Sequence, residues 1–209
     1  MNIENGGEMR KEERDKLRLF LLETNTKSSR KEAKSLIMNE EGFCEASLIA
    51  LSRLPPQSYG PNLESWVKKH LGLENKINNL SGDSSKGEET QEIKVSIENG
   101  STGQFNFVQI RPHHKITHYI LVTYSVTKDE EFWLKVPSQE LYELLPEFGG
   151  YAHGTVEKQG PITTASIIAN EFEYALRPSI FAGPKSKTRR LWNTLLNYRT
   201  SVEELKKCL

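Results

Sequence analysis

Glu92 and Lys94 are separated by one residue, and Asp83 lies nine positions before Glu92. Around them, Ile93, Val95 and Ile97 alternate with Glu92, Lys94 and Ser96, the period-two pattern of a half-buried β-strand. Successive strand side chains point to opposite faces, so Glu92 and Lys94 emerge on one side, roughly 6–7 Å apart. A carboxylate and an ammonium held this way, with a second carboxylate nearby, suit metal-assisted hydrolysis of a phosphodiester. Asp83 and Glu92 would give Mg²⁺ hard oxygen ligands, Ile93 would add its carbonyl, and several waters would remain on the ion. Such an ion polarises a phosphoryl oxygen and acidifies a bound water, while Lys94 orients or helps deprotonate that water and offsets the growing charge. The competing reading is an ordinary solvated strand face.

Spacing alone does not choose between these readings, because Glu-x-Lys occurs four times, at Glu32/Lys34, Glu74/Lys76, Glu92/Lys94 and Glu204/Lys206. The first and last fall in helical sequence, where residues two apart do not share a face. Only Glu92/Lys94 sits on an alternating strand, after a Gly-Asp turn and before further strand sequence.

The elements needed to position this pair can be read along the chain. Residues 8–38 and the segment EASLIALSRL read as helices, and a further helix starts near Pro61 with Leu63, Trp66, Val67 and Leu71 along one stripe. Leu73–Gly87 reads as loop or short edge strand. QFNFVQIRP alternates, with Phe105, Phe107 and Ile110 inward; ITHYILVTYSV reads as a central strand and EFWLKVP as another. SQELYELLPEF reads as a capped short helix, and the remainder as a glycine-punctuated loop followed by helices or a strand plus a helix. The expected class is α/β (α+β), with a mixed sheet of about five strands flanked by helices. The expected organisation is an N-terminal helical region over 1–57 and a core with a basic C-terminal segment over 58–209.

The chain has 209 residues, 36% hydrophobic and 27% charged, enough for one well-buried core. No apolar run is long enough for a membrane span, and the first residues lack the apolar centre of a signal peptide. Two cysteines, Cys44 and Cys208, without a CxxC pairing fit a reducing compartment, so a cytoplasmic location is expected. Net charge is zero, but its distribution is uneven. Arg177–Arg199 holds six basic residues and no acidic one, whereas Glu74–Glu98 holds six acidic residues against three lysines. The first suits phosphate backbones and the second suits divalent cations.

The order GD-x8-EIK, after the helical GPNLESWVKKHLGL and before the later strand runs, resembles the PD-(D/E)-x-K nuclease superfamily and its type II restriction endonucleases. The resemblance spans residues 58–178. It implies a restriction-endonuclease-like fold, a Mg²⁺ site of Asp83, Glu92 and the Ile93 carbonyl, with Glu64 as the acidic residue of the upstream helix, and Lys94 beside the nucleophile. It also implies a homodimer cutting double-stranded DNA at a short specific sequence. No proline precedes Asp83, and the short Asp83–Glu92 spacing requires a tight hairpin; Glu88 or Glu89 remains open as the first ligand.

Candidate DNA contacts are Gln109, Arg111, His114 and Lys115 after the strand, His153, Thr155 and Lys158 in the glycine-punctuated loop, and Lys185, Lys187, Arg189 and Arg190 in the basic segment. His113, His114 and His118 read as satisfied or exposed histidines, not as metal ligands. No phosphate-loop spacing occurs, so no nucleotide cofactor is expected. The alternatives are a non-catalytic DNA-binding or regulatory protein, and a repair or junction nuclease of the same fold.

Overall fold

In the computed structural model, residues 30–75, 80–86, 88–99, 102–152 and 160–209 are described, together with Lys16. Helices α1 (Arg30–Asn39), α2 (Phe43–Arg53) and α3 (Pro56–Leu71) follow one another through short turns. The apolar run at 17–22, read as part of a longer helix, lies outside the described residues. Helix α3 starts five residues before the expected Pro61. Pro56 occupies its first turn, where a missing N–H costs nothing. Pro61 is then tolerated inside the helix because the carbonyl it leaves unpaired belongs to Gln57, an exposed residue. Gly72 closes the helix at φ 67, the left-handed conformation that glycine adopts without strain.

Six strands form the main sheet: β1 (Glu74–Asn75), β2 (Ser84–Lys86), β3 (Glu89–Ile97), β5 (His118–Ser125), β6 (Glu130–Pro137) and β9 (Arg199–Thr200), in the order β1-β2-β3-β5-β6-β9. β3 and β5 run parallel, with Glu92 opposite Tyr119 and Lys94 opposite Leu121, and the other pairs are antiparallel. A parallel pair needs a crossover. Here the crossover contributes β4 (Phe107–Ile110) to a second sheet with β8 (Tyr174–Leu176) and β7 (Gly150–Tyr151), in the order β4-β8-β7. That second sheet was not evident from the sequence, because β7 and β8 have two and three residues and no period can be read from so few.

The main sheet separates two cores. On one face Ile93, Val95 and Ile97, with Ile120, Val122, Tyr124 and Trp133, pack against α1–α3 and α8 (Val202–Cys208). On the other, Tyr119, Leu121, Phe132, Leu134 and Val136 pack against the second sheet and helices α4 (Ser138–Glu143), α5 (Leu145–Phe148), α6 (Thr164–Ala169) and α7 (Lys187–Leu195). The architecture is mixed α/β. Among the described residues no helix is long and apolar enough to cross a membrane.

Two local expectations change. The segment read as one capped helix breaks at Leu144 into α4 and α5, and Pro137 before it provides no side-chain cap. Pro146 lacks the N–H that would continue the first helix. In β4, Phe107 and Ile110 are both buried although three positions apart. The register shifts between them, and Gln109 takes φ 57, so a bulge restores both side chains to the core.

Candidate active site at the open edge of strand β3

β3 is buried on both faces, which corrects the half-buried strand read from its alternation. Glu92 is 3% and Lys94 8% exposed, and Ser96 and Glu98 are also buried. The polar face of the strand points into the second core, beneath the second sheet. A solvated surface pair is therefore not what the structure contains. Glu92 Oε1 and Lys94 Nζ are 2.6 Å apart.

The hairpin between β2 and β3 explains how the other carboxylates arrive. Its register pairs Ser84 with Gln91 and Lys86 with Glu89, and Asp83 N–H donates to the Gln91 carbonyl at 2.8 Å. Among the described residues β3 continues past this point with no strand on that edge, so the odd-numbered residues from Ile93 onward present backbone groups that no strand pairs. Asp83 Oδ2 accepts from Ile93 N–H at 3.0 Å. The Glu64 carboxylate, on α3, accepts from Val95 N–H. The exposed edge is thus closed by two acidic side chains instead of a strand. Gly82 permits the approach: its φ is +74, and a Cβ there would lie 2.5 Å from the Gln91 carbonyl oxygen.

This arrangement gathers three carboxylates around one ammonium. Fully ionised, Glu64, Asp83, Glu92 and Lys94 would sum to about two negative charges in a poorly solvated place. Burial, followed by the charges of Asp83 and Glu92, pushes the Glu64 carboxyl up to about 7, against the opposing Lys94 and the Val95 N–H. Burial raises Glu92 as well, with Asp83 adding to it and Lys94 opposing. For Lys94 burial works against the charge, but Glu92, Glu64 and Asp83 outweigh it, so its pKa also rises. The three pKa values rise for different reasons: burial disfavours the charged carboxylates of Glu64 and Glu92, whereas the neighbouring acids favour the charged ammonium of Lys94.

Glu98 supplies a contrast on the same strand. Its carboxylate accepts from Ser125 Oγ at 2.6 Å, Thr127 Oγ1 at 2.7 Å and Thr127 N–H at 3.1 Å. It is a buried acid saturated by neutral donors, a tie across the β5–β6 turn. Glu92 has a cation and further acids for neighbours instead.

Asp83, Glu92 and the Ile93 carbonyl are the donors suited to a divalent cation. In a strand the N–H and C=O of one residue point to the same side, so the Ile93 carbonyl is directed to the edge where Asp83 takes its N–H. Hard oxygens and two surplus negative charges fit Mg²⁺ chemically. Among the described residues no three His, Cys, Asp or Glu side chains form a ready ligand set. An ion here would rest on two carboxylates, a carbonyl and waters. Glu89 is bound to Lys135 at 3.2 Å and lies 3.5 Å from His118, and Glu88 is exposed. Neither is among the groups acting on Lys94, so Asp83 is the acid that the fold delivers to the cluster.

The wall beside the cluster comes from the segment after β4. Arg111 Nε donates to Glu173 Oε1 at 2.7 Å, its backbone N–H donates to Tyr119 Oη at 3.2 Å, and Tyr119 Oη lies 3.4 Å from Tyr142 Oη. The Arg111 charge also acts on Glu92, lowering it. His114 packs edge-on against His113 with ring centroids 4.7 Å apart. Its pKa is lowered by burial first, then by His113, Arg111 and Lys94, so it is neutral at pH 7. Glu173, Tyr119 and Tyr142 were not evident from the sequence, because they lie on separate elements brought beside Arg111 only by folding.

The remaining candidates are dispersed. Gln109 is exposed at the bulge and Lys115 is exposed in the following turn. Lys185 is exposed before α7 and Lys187 opens that helix. Arg189 donates to the Ile180 carbonyl, while Arg190 pairs with Glu147 at 2.6 Å and lies over the Phe148 ring at 5.5 Å. Two of the four basic side chains thus already have partners within the chain. His153, Thr155 and Lys158 lie outside the described residues. The chain matches no family model, no curated protein and no solved structure.

Proposed function

We propose that the chain is a Mg²⁺-dependent endonuclease of the PD-(D/E)-x-K type, a type II restriction endonuclease that hydrolyses phosphodiester bonds of double-stranded DNA at a short specific sequence. The observation that carries this reading is the buried Glu92–Lys94 pair, joined at the open edge of β3 by Asp83 and Glu64. A strand face meant only for packing would be apolar, because burying charge is costly unless it is used or fully paired. Here three acids share one base. The fold reading draws support from the upstream acid-bearing helix, the tight β2–β3 hairpin and the following β5 and β6, which stand in the order that the resemblance leads one to expect.

In this reading Asp83, Glu92 and the Ile93 carbonyl would hold Mg²⁺, which when bound supplies Lewis-acid polarisation and an acidified water. Lys94 stays an ammonium, since its pKa is raised. In this reading it orients the attacking water and stabilises charge on the phosphate. Glu64, near 7, changes protonation in the working range and holds a proton at its carboxyl as the charge of the cluster changes. Arg111, fixed by Glu173, adds positive charge on the Glu92 side. Cutting both strands of a symmetric site is most simply performed by a two-fold homodimer.

The test is incubation of phage and plasmid DNA with the purified protein, with Mg²⁺ or EDTA, beside Lys94→Ala. Discrete fragments that require Mg²⁺ and vanish in the variant support the proposal. Intact DNA in every lane, with duplex still bound equally with and without Mg²⁺, makes a non-catalytic DNA-binding protein the better reading.

A further inference from the structure

Away from the acidic cluster, but on the same side of the main sheet, lies a pocket of about 230 Å³ lined by Gln104, Phe148, Gly149, Gly150, Arg177 and Lys187, with Ala175, Thr188 and Leu191 completing the wall. We infer that this pocket holds a phosphate group, and that its source is a backbone phosphate of bound DNA. The inference about the source rests on the nuclease reading above; the phosphate chemistry does not.

The lining has two cations and no acid. Among the described residues neither Arg177 nor Lys187 forms an ion pair with a carboxylate. This differs from Arg111, Arg190 and Arg199, which do. The two residues come from separate elements: Arg177 follows β8, and Lys187 opens α7. Their convergence on one cavity is a product of the fold and not of a local charge run. Repulsion between two cations across a cavity is unfavourable unless an anion relieves it. Gly150 keeps the cavity open, because a Cβ there would stand 3.2 Å from Arg177 Nη1. Gln104 and Thr188 add an amide and a hydroxyl, the neutral donors common around phosphate oxygens. An arginine fork with a lysine beside it suits a tetrahedral oxyanion better than a planar carboxylate alone would require. Arg177 was not singled out as a DNA contact from the sequence, although it begins the basic run, and Gln104 carried no signal there.

Removing one phosphate contact lowers the slope of log K against log salt by about 0.9, which at 0.1 M salt is about an eightfold loss of affinity. The experiment compares the full-length protein, Arg177→Gln, Lys187→Gln, the double variant and a control, Lys207→Gln on α8 at the opposite face. Binding of a labelled duplex is followed by anisotropy in EDTA across a salt series, with circular dichroism to verify folding. Inorganic phosphate is titrated separately while the Arg177 Nε–H signal is observed by NMR. The expected result is an about eightfold loss and a slope reduced by about 1 in the double variant, a smaller loss in exposed Lys187→Gln, and little change in Lys207→Gln. Wild-type DNA binding with an unchanged double variant, or an equal loss in Lys207→Gln, overturns the pocket and leaves the nuclease reading intact. If the wild type binds no duplex, the nuclease reading and the DNA source fail together. A saturable phosphate shift of the Arg177 Nε–H that weakens in Lys187→Gln would then retain the phosphate site, and no shift would remove it.

Discussion

Replacing Lys94 by Met should make stability fall more steeply with rising pH than it does in the wild type. Methionine keeps most of the volume, so the loss is one of charge. Without the ammonium, Asp83, Glu64 and Glu92 face one another in a buried cluster with no cation inside it. The cheapest relief is protonation. Glu64 already holds its proton up to about 7, so the additional proton goes to Glu92, whose ordinary value is 4.5. Carrying that proton costs about 1.36 kcal/mol for each pH unit above the ordinary value, so about 3 kcal/mol at pH 7 is the upper bound on the difference from the wild type, whose Glu92 is itself raised. The sign follows from linkage: the folded variant binds more protons than its unfolded chain, so its stability falls as pH rises above the unfolded carboxylate pKa. Urea unfolding in EDTA, followed by circular dichroism from pH 5 to 7.5, measures the difference between wild type and variant. A difference that grows with pH, up to about 3 kcal/mol at pH 7, supports the cluster. A pH-independent difference would refute the proposed charge surplus.

Other expectations follow from neighbouring features. Mg²⁺ should raise the melting temperature more at pH 8 than at pH 6, because Glu64, raised from 4.5 to about 7, destabilises the metal-free fold as pH climbs through that window; equal shifts at both values would exclude the cluster as the ion site. Gly82→Ala should cost at least about 1–2 kcal/mol through its positive φ and its clash with the Gln91 carbonyl, and should lower cutting by displacing Asp83. A urea midpoint and a nicking assay on the same sample read both effects. Leu121→Ala, beside Lys94 on the parallel strand and fully buried, should cost about 2–5 kcal/mol with an unchanged denaturant slope. Asp83→Ala should abolish Mg²⁺-dependent stabilisation while duplex affinity in EDTA stays within about twofold, a pattern that calorimetry and anisotropy together can contradict.

Much of the local structure could be read from residue order. The alternation from Glu92 to Ile97 marks the body of β3, the apolar run from Tyr119 marks a central strand, and the tight hairpin demanded by the Asp83–Glu92 spacing is the one that forms. What periodicity could not say was what lies over each face. Glu92, Lys94, Ser96 and Glu98 have the composition of a solvent face. Their cover comes from other segments: Asn106 N–H donates to Ser96 Oγ, the Arg111 charge acts on Glu92, and Ser125 and Thr127 close over Glu98. The small second sheet was invisible for a related reason, since strands of two and three residues acquire their structure from partners and not from their own pattern.

The sequence by itself determined which side chains could do chemistry, and on which strand, because residue type and a period of two are properties of the chain. It named Asp83 as the first ligand and left Glu88 and Glu89 open as replacements. Only the tertiary structure chose among them, by turning Glu89 to Lys135, leaving Glu88 exposed, and placing Asp83 and Glu64 on the edge that β2 leaves open. It also decided that this charge is buried. The physical reason is that an unpaired strand edge and a covered polar face are consequences of where other elements stop and pack, and neither is encoded within the few residues that form the site.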